Sequence, residues 1–151
     1  MRRACVSLLV AALWAAAPAS ASELVSDRDG STTTRQGSCK RADGAFMVDM
    51  VKWAEGVQLA ISAYNLEDFT AAKHYIVEAE RVYWRAEAPC SSYAKDVERK
   101  CGWATNYYKV GLRAAAKAEV DKALRFMRLG HEWVQEATKA VRRLRAHYRQ
   151  L

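Results

Sequence analysis

The chain has 151 residues, 51% of them hydrophobic and 27% charged, with a formal net charge of +7. Its length suits one domain with a single core. After the first apolar run, no segment is apolar for long enough to span a membrane, and an excess charge this modest argues against a nucleic-acid binder.

The chain opens on Met1, Arg2 and Arg3, runs apolar from Ala4 to Ala17, and closes on Ala19-Ser20-Ala21 before Ser22-Glu23. A basic start, a short apolar stretch and a small-residue site predict a cleavable secretory signal over residues 1–21. The run falls short of the roughly 20 residues a spanning helix needs, and Pro18 interrupts it. The mature protein is therefore expected to be soluble, in the periplasm or secreted, and the Ala- and Arg-rich composition points to a bacterium. Residues 22–38 are polar and contain Asp29-Gly30 and Ser31 to Thr34. They read as a flexible arm, which leaves 39–151 as the folded domain.

Apolar periodicity predicts four helices in that domain. The first spans about Ala42 to Asn65, with a stripe of Met47, Met50, Ala54, Val57, Ile61 and Tyr64. The second spans about Asp68 to Glu87, with Phe69, Ala72, Ile76, Ala79, Tyr83 and Ala86, and Pro89 ends it. The third starts near Ser92 as N-cap and reaches about Ala116. The fourth runs from about Glu119 to near the C-terminus. Its apolar residues recur in heptads, Val120, Met127, Val134, Val141 and Tyr148 at one position and Ala123, Gly130, Ala137, Leu144 and Leu151 at the other. Each helix alone would leave a stripe in water, so the helices must pack on one another.

The chain also repeats itself at an offset of 51. Cys39 then meets Cys90, Ala60 meets Gly111, Ile61 meets Leu112, Ala72 meets Ala123, Ile76 meets Met127 and Ala79 meets Gly130. The unit is one αα-hairpin, present twice. The stretch from Ala60 to Val82 resembles a tetratricopeptide-type helical repeat: small Ala60, the turn at Asp68-Phe69, then Ala72, Tyr75 and Ala79. Gly111, Val120, Ala123, Phe126 and Gly130 copy the pattern. The resemblance implies stacked helical hairpins. The period exceeds that family's roughly 34 residues, and two units are few for a solenoid. The expected fold is therefore all-α, two αα-hairpins forming an antiparallel four-helix bundle with a long C-terminal helix.

Three cysteines follow the leader. In an up-down-up-down bundle the start of the first helix and the second-to-third junction share an end, which favours Cys39–Cys90. Cys39–Cys101 stays open if the first helix begins early. Cys90–Cys101 would need to bridge about 16 Å along one helix. Cys101 falls at a core-facing position, where a buried thiol is expected.

No metal, cofactor or catalytic constellation emerges. His74, His131 and His147 lack the Glu-x-x-His spacing of di-iron bundles. There is no C-x-x-C, G-x-S-x-G, H-E-x-x-H or glycine-rich phosphate loop. Two features do suggest surfaces. The third helix carries two apolar stripes, Ala104, Tyr108, Gly111 and Ala115 on one face and Trp103, Tyr107, Val110 and Ala114 on the next, and one core cannot easily bury both. The second either is covered by the N-terminal arm or a wider core, or lines a groove with Trp53 and Trp84. The positive excess of the mature chain falls after Arg125, notably Arg142, Arg143, Arg145 and Arg149, and the residues from Leu144 on are expected to project about 12 Å past the bundle. The expected function is a non-catalytic interaction or adaptor module of the cell envelope with a protein partner. The alternatives are binding of anionic lipid or wall polymer by the basic end, and a bundle holding a small ligand.

Overall fold

The computed structural model describes residues 32–151, with side chains from residue 35 on. The expected signal over 1–21 and the first part of the arm lie outside those residues. The described chain forms four helices and no strand: α1 (Thr32–Asn65), α2 (Phe69–Arg85), α3 (Ser92–Ala116) and α4 (Val120–Arg149). They pack as a helical bundle of two αα-hairpins, with the closest backbone approaches inside the α1–α2 and α3–α4 hairpins and a further contact between α2 and α3. No described helix is long and apolar enough to cross a membrane.

The expected arm is corrected at its C-terminal part, because α1 starts ten residues before Ala42, at Thr32. No proline interrupts this stretch. A helix already nucleated by packing extends at little cost, and Gly37 and Gly44 each weaken it by only about 1 kcal/mol. A second correction concerns the start of α3. The N-cap is Ser91, whose side chain accepts from the Ala94 N–H, rather than Ser92.

The 51-residue correspondence extends to the loops. At the end of α1, Glu67 adopts φ 61°, its N–H donates to the Tyr64 carbonyl at 3.0 Å, and the Asp68 N–H donates to the Ala63 carbonyl at 3.0 Å. At the end of α3, Ala118 adopts φ 57°, its N–H donates to Ala115 at 3.0 Å, and Glu119 donates to Ala114 at 2.9 Å. Both turns are Schellman motifs, at positions 51 apart like the two cysteines.

Small residues set the spacing within each hairpin. A Cβ on Gly56 would come within 3.0 Å of the Ala79 Cβ. On Gly111 it would meet Met127, and on Gly130 it would lie 2.8 Å from the Tyr108 ring. The core between the hairpins uses large side chains instead. Phe46, Met50, Trp53, Ile76, Leu112 and Val141 are fully buried. The Trp53 Nε1–H donates to Thr105 Oγ1 at 2.9 Å, and that hydroxyl donates to the Cys101 carbonyl at 2.8 Å, so the indole nitrogen is satisfied at depth. In α4 the heptad seam is buried from Ala123 to Leu144, while Val120 and Leu151 at its ends are exposed.

Candidate interaction surfaces

One end of the bundle is closed by a cross-linked polar knot. Cys39 near the start of α1 and Cys90 before α3 form a disulfide, with Cα atoms 5.2 Å apart. A loop of that length is stabilised by roughly 4 kcal/mol in the chain-entropy picture. Cys101 is free and buried, and burial, with Glu98 second, pushes its thiol pKa up. One turn beyond Cys39 sits Asp43, only 1% exposed. Its carboxylate accepts from the Cys90 N–H at 2.7 Å, the Ser91 N–H at 3.2 Å, the Ser91 hydroxyl, and the Tyr148 hydroxyl at 2.5 Å. A carboxylate at this depth is tolerable because every donor aimed at it is fixed.

This knot corrects the expectation of a projecting C-terminal tip. Leu144 is buried, His147 stacks on Tyr93 with ring centroids 4.6 Å apart, and Tyr148 reaches Asp43. Tyr93 of α3 and Asp43 of α1 supply the surface that the tip lies on. Of the expected basic residues, Arg142, Arg143 and Arg149 are exposed and Arg145 is partly buried. Arg143 joins Arg99 and Lys100 on Asp96, at 3.2, 2.8 and 2.8 Å. Burial raises the Asp96 carboxyl, but hydrogen bonds from Lys100, Arg99 and Arg143 outweigh it and hold the pKa down at about 2.

The aromatic stripe of α3 is partly covered, and by α4 rather than by α1. Trp103 meets Trp133 edge to face with centroids 4.3 Å apart, and Tyr107 stacks near Phe126. Tyr107 and Val110 are half-buried and Ala114 is buried. The proposed extension through Trp53 is also corrected, since Trp53 lies in the core. Trp84 and Trp103 remain in water, 74% and 42% exposed. They flank an open cleft of about 220 Å³ between α2 and α3, with Glu80, Tyr83, Arg99 and Asn106.

Comparison of the chain with family models, curated proteins and solved structures found no match.

The cleft is shaped by a close approach. A Cβ on Gly102 would fall 2.6 Å from the Tyr83 hydroxyl, so the phenol lies across the α3 backbone. Burial, then the nearby Glu98 and Cys101, push the Tyr83 pKa to about 12. Lys109 bridges α3 to Glu80 of α2 at 2.6 Å, and the Arg99 guanidinium lies 6.0 Å over the Trp103 ring, within cation–π range. Between α1 and α4, the space beside Trp53, Val57, Ile61 and His131 amounts to about 10 Å³, about the volume of a single water probe. Among the described residues no group of three or more His, Cys, Asp or Glu is placed to hold a metal.

Proposed function

We propose that the protein is an exported, non-catalytic binding module of the cell envelope, and that its protein partner docks in the α2–α3 cleft between Trp84 and Trp103. The observation that carries this reading is the pair of tryptophans left exposed on neighbouring helices over an open cleft. An indole is a large apolar surface with one polar handle, the side chain most enriched among binding hot spots. Covering apolar area is worth about 25 cal/mol per Å², so a partner inserting an apolar anchor between these rings gains directly. Asn106 supplies amide donors and acceptors at the rim.

The non-catalytic part rests on the state of the ionisable groups at the cleft. Glu80 is tied to Lys109 and Arg99 to Asp96, which leaves them as rim contacts rather than an acid–base pair. Export is supported by the Cys39–Cys90 bond, since disulfides persist in oxidising compartments, and by the signal-like pattern of residues 1–21 in the sequence.

A photo-crosslinking residue at Asn106, within the cleft, tests the reading against the same residue at Leu59, exposed on α1. In intact envelopes, position 106 is expected to yield a discrete protein adduct that disappears on Trp84→Ala or Trp103→Ala. Identical adducts from both positions, insensitive to the two tryptophans, would refute it.

A further inference from the structure

Sequence alone places the positive excess in the C-terminal segment, but folding redistributes it in space. The Tyr148–Asp43 contact sets the end of α4 beside the start of α1. Exposed Arg35, Lys40 and Arg41 thereby join exposed Arg142 and Arg149 at one end of the bundle. The acids of that end are largely spent: Asp43 is buried under its four donors, Asp96 carries three cations, and Asp49 accepts from the Glu87 N–H and lies near Lys52. Glu87 alone among them is exposed. At the opposite end, exposed Glu67, Asp68, Glu119 and Asp121 face exposed Lys73, Arg113, Lys117, Lys122 and Arg125, so charge there is nearly balanced. The ends are separated by the length of α3, about 37 Å at 1.5 Å per residue, several times the roughly 8 Å over which charge acts at physiological salt. A partner therefore senses each end separately, and the disulfide end carries the clear cationic excess.

We infer that the disulfide end of the bundle is a docking face for an anionic phospholipid surface. This inference is independent of the α2–α3 cleft. Charge complementarity is the first support. The second is the non-ionic composition of the same end: Tyr93 is 40% exposed and stacked on His147, and Leu151 is 64% exposed. An aromatic with a polar tip and an aliphatic residue among arginines match what settles at a headgroup boundary. The third is chain direction. The chain enters the bundle at this end, and the apolar run Ala4 to Ala17 precedes it in sequence, so a bilayer holding that run during export meets the cationic face first.

The test is co-sedimentation of the full-chain product, each variant checked by mass spectrometry for the same N-terminus. The vesicles are phosphatidylglycerol mixed with phosphatidylcholine, or phosphatidylcholine alone. Two double variants remove cations at the docking end, Lys40→Gln with Arg41→Gln and Arg142→Gln with Arg149→Gln. The pair Lys117→Gln with Lys122→Gln does so at the far end. All six side chains are exposed, and circular dichroism checks that the helices persist. Each docking-end pair is expected to weaken partitioning onto the anionic vesicles roughly 25-fold, about 5-fold per cation, while the far-end pair leaves it unchanged. Equal losses from all three pairs would overturn the inference. So would equal binding to phosphatidylcholine, or binding to an anionic wall polymer with none to vesicles. Inorganic phosphate should displace the protein no better than sodium chloride of equal ionic strength. Stronger displacement by phosphate would assign the cations to a discrete phosphate site and overturn the lipid face.

Discussion

Tyr148, one residue before the last of α4, donates its hydroxyl hydrogen to the carboxylate of Asp43 on α1, 105 residues earlier, at 2.5 Å. That bond ties the last helix to the first at the end where Cys39 and Cys90 tie the two hairpins. Tyr148→Phe keeps the ring and deletes the donor, leaving a buried carboxylate short of one partner. The expected loss is about 1.5–3 kcal/mol in chemical denaturation at neutral pH. The Tyr148 phenol pKa is raised by burial first and by Asp43 second. A raised folded pKa means the fold favours the protonated phenol. Its contribution is therefore complete below the unfolded value near 10 and is lost as pH climbs through the raised one. Tyr148→Phe should accordingly flatten the alkaline limb of the stability–pH curve.

Tyr108 gives the opposite expectation. It is 2% exposed, packed on Gly130, and its buried hydroxyl has no hydrogen-bond partner among the described residues. Tyr108→Phe removes an unsatisfied polar atom without leaving another one behind. Thermal denaturation should show it neutral to about 1 kcal/mol more stable. A loss above that size would mean the hydroxyl has a partner.

The contrast between these two tyrosines marks what the sequence displayed. Both lie on apolar stripes, and periodicity alone gave them the same role. Helices α2, α3 and α4 were legible because each buries a stripe with a clear 3–4 spacing, and the geometry of an up-down bundle favoured Cys39–Cys90 while leaving Cys39–Cys101 open. The start of α1 was not legible, because the polar stretch before Ala42 carries no stripe and becomes helical by extension from a packed segment. Asp43 did carry a signal: it precedes Met47, Met50 and Ala54 at helical spacing, so it lies on the buried face. Trp53 belongs to a second stripe, Phe46, Met50, Trp53, Val57 and Ala60, and both stripes are covered because α1 meets more than one neighbour. The cationic end escaped a linear count of charge, since Arg35, Lys40 and Arg41 are balanced by nearby acids along the chain and separated from many of them in space.

The two Schellman turns place Glu67 and Ala118 in the left-handed region, at φ 61° and 57°, where a side chain costs about 1–2 kcal/mol. Glu67→Gly and Ala118→Gly relieve that strain, against glycine's larger unfolded-state entropy. Each is expected to stabilise the fold by about 0.5–1 kcal/mol in urea denaturation, and the pair to add, because the loops belong to different hairpins.

The equivalent caps differ. The Asp68 side chain accepts from the Ala71 N–H at the start of α2, whereas Glu119 at the matching position of α4 makes no side-chain cap bond. One methylene too many carries the carboxylate past the N3 amide. Glu119→Asp should gain about 0.5–1 kcal/mol, and amide exchange in the first turn of α4 should slow.

We propose that this chain leaves the reducing cytosol and folds as a bundle closed by Cys39–Cys90. Intact and peptide-level mass spectrometry of the protein recovered from envelope or medium under non-reducing conditions tests it directly. The account expects an N-terminus at about Ser22, a Cys39–Cys90 linked peptide and an unmodified thiol at Cys101. Recovery of a chain that keeps residues 1–21, with Cys39 and Cys90 both as free thiols, would contradict it.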